Sequence, residues 1–260
     1  EREIWRRKRK REKRIEGEKE RGILRGRRLS EEKQHAGRQA ARQAGAGAGA
    51  HSSKGKRRTK RAKYYQIGEA NPSIKNVWMV FHGYAMLSEF FIKKFEVLND
   101  GETLVIAPEA LNRFYITENF SRVGASWMTK EDRDNDIIEN NRYIESLYQN
   151  IVNQIGHSDF QLNVLGFSQG SPTACRWVFS SKLKVQNLLI WAGDIPKDTL
   201  IEQNKSKWDT FNTYLVMGEK DQLITEELSL KFQKVISDFK LNYSLVKYDG
   251  DHRIFPDILK

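Results

Sequence analysis

Apolar residues recur along the chain in two patterns, both beginning at Tyr64. Short apolar runs bounded by turn residues occupy 77–81, 103–107, 162–167, 188–192, 214–217 and 243–248, and each predicts a strand. Between the second and third runs, Ile137, Ile138, Ile144, Leu147, Tyr148, Ile151, Val152 and Ile155 fall at helical spacing. Leu228, Phe232, Val235, Ile236 and Phe239 do the same between the last two. Strands alternating with helices imply a doubly wound α/β fold around a mostly parallel sheet. In such sheets ligands bind at the carboxyl ends of the strands, so chemistry is expected just after each run.

Composition locates the folded part. The chain of 260 residues carries a net charge of +11, which first suggests a nucleic-acid or membrane partner. Residues 1–63 hold 24 Lys and Arg against 8 Asp and Glu, net +16, whereas residues 64–260 hold 21 against 26, net −5. The basic excess therefore belongs to the first quarter, where Trp5 is the only aromatic and apolar residues are too sparse to offset chain entropy. Residues 1–63 are expected to be a disordered basic tail, and residues 64–260 one folded domain. The basic clusters, including K-G-K-R-R-T-K-R at 54–61, suit non-specific attraction to nucleic acid or an anionic surface, or else a solvated linker. Without interleaved aromatics they lack the stacking platform that single-stranded nucleic acid uses. The single cysteine, Cys175, excludes an intrachain disulfide and is expected to be a small core residue. No apolar run approaches the ~18 residues of a membrane span, and no secretory signal is visible, so the expected location is cytoplasmic. Composition leaves oligomeric state open.

The third run ends in G-F-S-Q-G, residues 166–170, a G-x-S-x-G motif with a strand leading in and P-T-A-C-R-W-V-F leading out at helical period. A strand that turns into a helix within two residues forces the central side chain into a strained conformation facing away from the sheet. The helix that follows aims free N–H groups at that point, where an oxyanion would form. Ser168 is thus the candidate nucleophile. After the first run comes H-G-Y-A-M, residues 82–86, which offers the backbone amide of Tyr84 to pair with that of Gln169 as an oxyanion hole. His82, at a strand end before a glycine, is read as shaping this loop.

Of the five histidines, His252 in Y-D-G-D-H lies just beyond the last strand and is the best placed general base. Asp194, Asp221, Asp249 and Asp251 are all available to orient it. Asp221, after the strand preceding that of His252, gives the chain order Ser, Asp, His that α/β-hydrolases use. Met86, Phe114, Tyr115 and Trp127 are candidates to line an acyl site. No zinc-ligand spacing and no phosphate-cradling loop is found, so neither a metal nor a cofactor is expected.

Taken together, H-G-Y, G-F-S-Q-G-S-P, G-E-K-D and G-D-H resemble the phospholipase/carboxylesterase family, which includes acyl-protein thioesterases and bacterial carboxylesterases. The resemblance spans residues 64–260. It implies an α/β-hydrolase fold with helices on both faces of the sheet and a minimal lid or none. It also implies Ser168, Asp221 and His252 as a triad, amides of Tyr84 and Gln169 as the oxyanion hole, and cleavage of a small ester or thioester without a cofactor. Two departures alter the wall beside the nucleophile: H-G-Y-A-M where relatives commonly have H-G-x-G-D, and G-S-P where they have G-G after the elbow glutamine. A catalytically silent scaffold that only binds is the contrasting reading, and it predicts loss of a triad member.

Overall fold

A computed structural model describes residues 61–224 and 226–259. The expectation of a disordered tail falls on residues 1–63, of which residues 1–60 lie outside the described residues. The six predicted runs are all strands and lie side by side in parallel. They are β2 (Asn76–Phe81), β3 (Thr103–Pro108), β6 (Gln161–Phe167), β7 (Val185–Trp191), β8 (Asn212–Gly218) and β9 (Ser244–Tyr248). A seventh, β1 (Tyr64–Ile67), runs antiparallel along β3, giving the order β1-β3-β2-β6-β7-β8-β9. Two short strands, β4 (Asn112–Tyr115) and β5 (Val123–Ser126), form a separate hairpin after β3.

Successive side chains of each strand point to opposite faces, and this alternation builds two cores. Val77, Met79, Phe81, Leu104, Ile106, Leu162, Val164, Leu188, Ile190 and Leu215 enter the first. There they meet Ile144, Leu147, Tyr148, Ile151 and Ile155 of the long helix and Ala174, Trp177 and Val178 of the helix after β6. Val80, Val105, Ala107, Leu165, Phe167, Trp191 and Val216 enter the second, covered by Phe91, Ile92, Phe95 and Ile254. Helices thus lie on both faces, thick on one and short on the other. The thick side has α2 (Arg133–Ile155), α3 (Gly170–Ser180) and α5 (Glu226–Phe239). The short side has α1 (Ser88–Phe91), the 3-10 turn Ile92–Leu98 and the 3-10 turn Pro256–Leu259, while the single-turn α4 (Lys205–Trp208) precedes β8.

α2 forms where the period predicts it. Asp134 and Asp136 in its first turn favour the positive end of the helix, and Gly156, left-handed at φ 87°, ends it. Ile138 departs from expectation: it is 45% exposed, off the buried face of α2 that runs through Asn140, Ile144, Leu147, Tyr148, Ile151 and Ile155. Among the described residues no separate lid covers the sheet; the connection from β3 to β6 consists of the hairpin and α2.

Candidate active site

The bend after β6 has the geometry its sequence requires. Ser168 is left-handed, φ 51°, and its N–H donates to the Trp191 carbonyl of β7 at 2.8 Å. α3 then begins at Gly170, against which the Phe81 and His82 carbonyls pack so closely that any β-carbon would collide with them. The Ser171 hydroxyl donates to the Gly166 carbonyl at 2.7 Å, closing the turn from beneath. Ser168 is therefore held out at the carboxyl edge of the sheet while the amides of the first turn of α3 point toward it.

His252 follows β9 on the same edge. Its Nδ1 donates to Oδ2 of Asp221 at 2.7 Å, and its ring packs on Phe167 with centroids 4.9 Å apart. The Asp221 side chain is fully buried. Its other oxygen accepts the Leu223 and Ile224 amides at 2.9 and 3.3 Å, so both its oxygens are fixed. Two of the remaining candidate acids are engaged elsewhere. Asp249 pairs with Lys220, and Asp251 pairs with Arg253 at 2.7 Å. Asp194 stands on the wall of the cleft, with partial burial raising its carboxyl above the usual range.

Ser168 and His252 line one cleft of about 240 Å³. Pro172, Met217, Leu223 and Phe232 make its apolar walls, and Pro172, Asp194 and Phe232 also border an adjoining apolar cavity of about 350 Å³. Phe232 had an evident signal, its place on the apolar stripe of α5; that it faces a cleft depends on how α5 docks. Pro172 lies within the elbow sequence itself.

The loop after β2 approaches from the other side. Among the described residues neither the Tyr84 nor the Gln169 amide has a hydrogen-bond acceptor. The Gln169 side chain is bolted to the end of the hairpin: Oε1 accepts the Trp127 amide at 3.1 Å and Nε2 donates to the Met128 carbonyl at 3.1 Å. His82 is fully buried beneath. Its Nε2 accepts the Ala110 amide at 3.1 Å, which leaves Nδ1 to donate to the Gly83 carbonyl at 2.7 Å. The imidazole is thereby neutral, and burial lowers its pKa from 6.5 to about 4.

None of the four residues expected around an acyl group lines this cleft. Trp127 is 1% exposed, packed against Phe81 and His82, and its indole N–H donates to the His82 carbonyl at 2.8 Å. Met86 sits under the loop in the second core, where its sulfur abuts Gly83. Phe114 stacks on Tyr84 with ring centroids 5.1 Å apart, and Tyr115 is 59% exposed on the hairpin. Cys175 is buried, and burial pushes its thiol pKa up, away from nucleophilic chemistry. Among the described residues no cluster of His, Cys, Asp and Glu is arranged to hold a metal ion, and no helix is long and apolar enough to cross a membrane.

A single-serine elbow, a carboxylate-bound histidine and a seven-stranded, mostly parallel sheet define the class as an α/β-hydrolase. Residues 65–260 match the family model described as phospholipase/carboxylesterase, and the chain belongs to that family. It is a hydrolase of the carboxylesterase or thioesterase type. Solved structures share the fold at low identity. Zea mays acyl-protein thioesterase 2 superposes with a TM-score of 0.59 at 15% identity, covering 76% of this chain and 95% of that one. Esterase PE8 gives 0.53 at 18% identity, covering 76% and 94% respectively. The Bacillus cereus carboxylesterase gives 0.52 at 11% identity, covering 75% and 88%. No curated protein sequence matches the chain.

Proposed function

We propose that the protein cleaves carboxylic esters or thioesters through an acyl-enzyme on Ser168. The observation that carries this reading is the 2.7 Å bond from His252 Nδ1 to a buried, doubly anchored Asp221, on a cleft that Ser168 also lines. With Nδ1 committed to Asp221, the neutral imidazole has Nε2 unprotonated and available to take the Ser168 proton. The Ser168 oxygen attacks the acyl carbon, and the carbonyl oxygen gains charge in the field of the Tyr84 and Gln169 amides and the N-terminus of α3. His252 returns the proton to the departing alcohol or thiol. It then deprotonates a water that hydrolyses the acyl-enzyme. The cleft and its adjoining, largely apolar cavity give the acyl chain a path away from Ser168.

A chain-length series of chromogenic esters tests the reading with native protein, Ser168→Ala and Asp221→Asn. Turnover should fall by about 10³-fold or more in Ser168→Ala and by roughly 10³ to 10⁴ in Asp221→Asn, where the wrong tautomer is favoured. Native protein inert toward every ester and thioester, or Ser168→Ala as active as native, would sink it.

A further inference from the structure

The bend after β7 brings to the catalytic edge a carboxylate that the acyl-transfer steps do not use. Ala192 is left-handed, φ 48°, and its N–H donates to the Val216 carbonyl of β8 at 2.8 Å. Gly193 then presses on the elbow: a β-carbon there would lie 2.5 Å from the Ser168 carbonyl oxygen and 2.6 Å from the Ser171 Cβ. A strained residue, followed by one at which the elbow leaves no room for a side chain, fixes the main chain next to the nucleophile. Asp194 comes next, on the wall that the cleft of Ser168 and His252 shares with the adjoining cavity.

Among the described residues this charge has no partner. Apart from His252, Asp194 is the only ionisable side chain that lines the cleft, whose apolar walls are Pro172, Met217, Leu223, Ile224 and Phe232. The other acids of this edge are paired: Asp221 holds His252, Asp249 meets Lys220 and Asp251 meets Arg253. Two cations of the adjoining cavity are directed to other acids. Arg176 forks onto Asp198 at 2.8 and 2.9 Å, and Arg133 lies 3.6 Å from Asp134. Lys197, the third, stands exposed. Burial raises the Asp194 carboxyl, and no cation acts on it in the opposite sense. A carboxylate partly withdrawn from water without a counter-charge is costly to keep, and such groups gather where a ligand completes the site.

We infer that Asp194 determines specificity by receiving a cationic substituent of the ammonium type, carried on the acyl group, where the cleft opens into the cavity. The inference rests on the acyl-enzyme reading of Ser168 and names the class of acyl group that this site takes. A cation suits the position better than a neutral hydroxyl, because only a cation cancels the uncompensated charge, and between apolar walls the attraction is several times that in water. The net charge of −5 over residues 64–260 acts in the same direction. Asp194 borders both spaces, together with Pro172 and Phe232, and so lies on the route of the acyl chain. Arg133, Arg176 and Lys197 line the cavity but not the cleft, and they would repel an ammonium carried deeper. The cation therefore sits a few bonds from the acyl carbon.

Matched pairs of esters test this with the full chain. One pair is the phenyl ester of trimethylammoniobutanoate and its neutral isostere, with carbon in place of nitrogen; the other is choline butanoate and its own carbon isostere. Rates are normalised to alkaline hydrolysis of each ester. In native protein kcat/KM for the charged phenyl ester should exceed that for its isostere by about tenfold or more, most of it in KM, since the ammonium lies away from the reacting atoms. The choline pair should show no such ratio, because its charge is on the leaving group. Asp194→Asn should bring the first ratio to about one, and Asp194→Lys should invert it. Turnover of the phenyl esters without preference for the charged one, a preference confined to the choline pair, or a ratio that survives Asp194→Asn would overturn the inference while leaving Ser168 as nucleophile. Native protein inert toward all of these esters would remove the acyl-enzyme reading and this inference with it.

Discussion

Ser168 and Ala192 end adjacent strands in the same left-handed conformation, φ 51° and 48°, and each N–H reaches across to the next strand, at 2.8 Å in both cases. Each bend costs about 1–2 kcal/mol relative to an ordinary strand exit. The cost is borne where the main chain must turn sharply around the cleft. Ser168, Asp221 and His252 were legible in the sequence because each follows directly on an apolar run, and the strand ends of a parallel sheet converge whatever the details of packing. Trp127 was misplaced in sequence because a tryptophan in a polar segment carries no mark of burial; its partners, His82 and Phe81, are more than forty positions away. His82 yields a prediction of its own. Its folded pKa of about 4 lies below the ordinary 6.5, so the folded state binds fewer protons than the unfolded chain between those values. Its contribution is complete above pH 6.5 and is lost as pH falls toward 4, a change of about 3 kcal/mol. Denaturant midpoints measured across that range should fall in native protein and be flatter in His82→Gln; equal slopes would show that another group controls the fall.

Among the elements, the six parallel strands and α2 were readable because burial on both faces, or along one stripe, writes itself into apolar runs and periods. β1 was not: its sequence is Y-Y-Q-I, an edge strand with one neighbour and partly exposed side chains, whose signal is shorter than its competitors. β4 and β5 are four residues each and among the strands pair only with one another, so neither stands out as an apolar run. Gly124 is where this hairpin meets the loop after β2. A β-carbon there would lie 2.5 Å from the Ala85 carbonyl oxygen and 2.7 Å from its Cα, both backbone atoms that cannot swing aside. Gly124→Ala should therefore push the Tyr84 loop away from Ser168. We expect kcat to drop by about 10²-fold or more, the scale of losing one oxyanion donor, with a much smaller change in KM. Unchanged kcat in a folded Gly124→Ala protein would mean that the Tyr84 amide does not take part.

At the scale of the whole molecule, one sequence carries two opposed charge distributions, net +16 over residues 1–63 and net −5 over residues 64–260. The acidic part supplies the enzyme, and its two cores differ in thickness because long helices cover one face of the sheet and short turns the other. What the sequence leaves hidden is the wall of the cleft. Pro172, Met217, Leu223 and Phe232 come from four separate segments, α3, β8, the loop after β8 and α5, which meet at one cleft only in the folded chain. The departures from the family pattern after Gln169 and after Gly83 fall on this wall and on the hairpin side, while the strand-end positions of serine, aspartate and histidine are kept. The most direct measurement is therefore made on the serine itself. Native protein treated with a fluorophosphonate ester should gain one adduct by intact mass, mapped by peptide sequencing to Ser168 and absent from Ser168→Ala. A native chain that takes no adduct, or takes it at another residue, would contradict the assignment of Ser168 as the nucleophile.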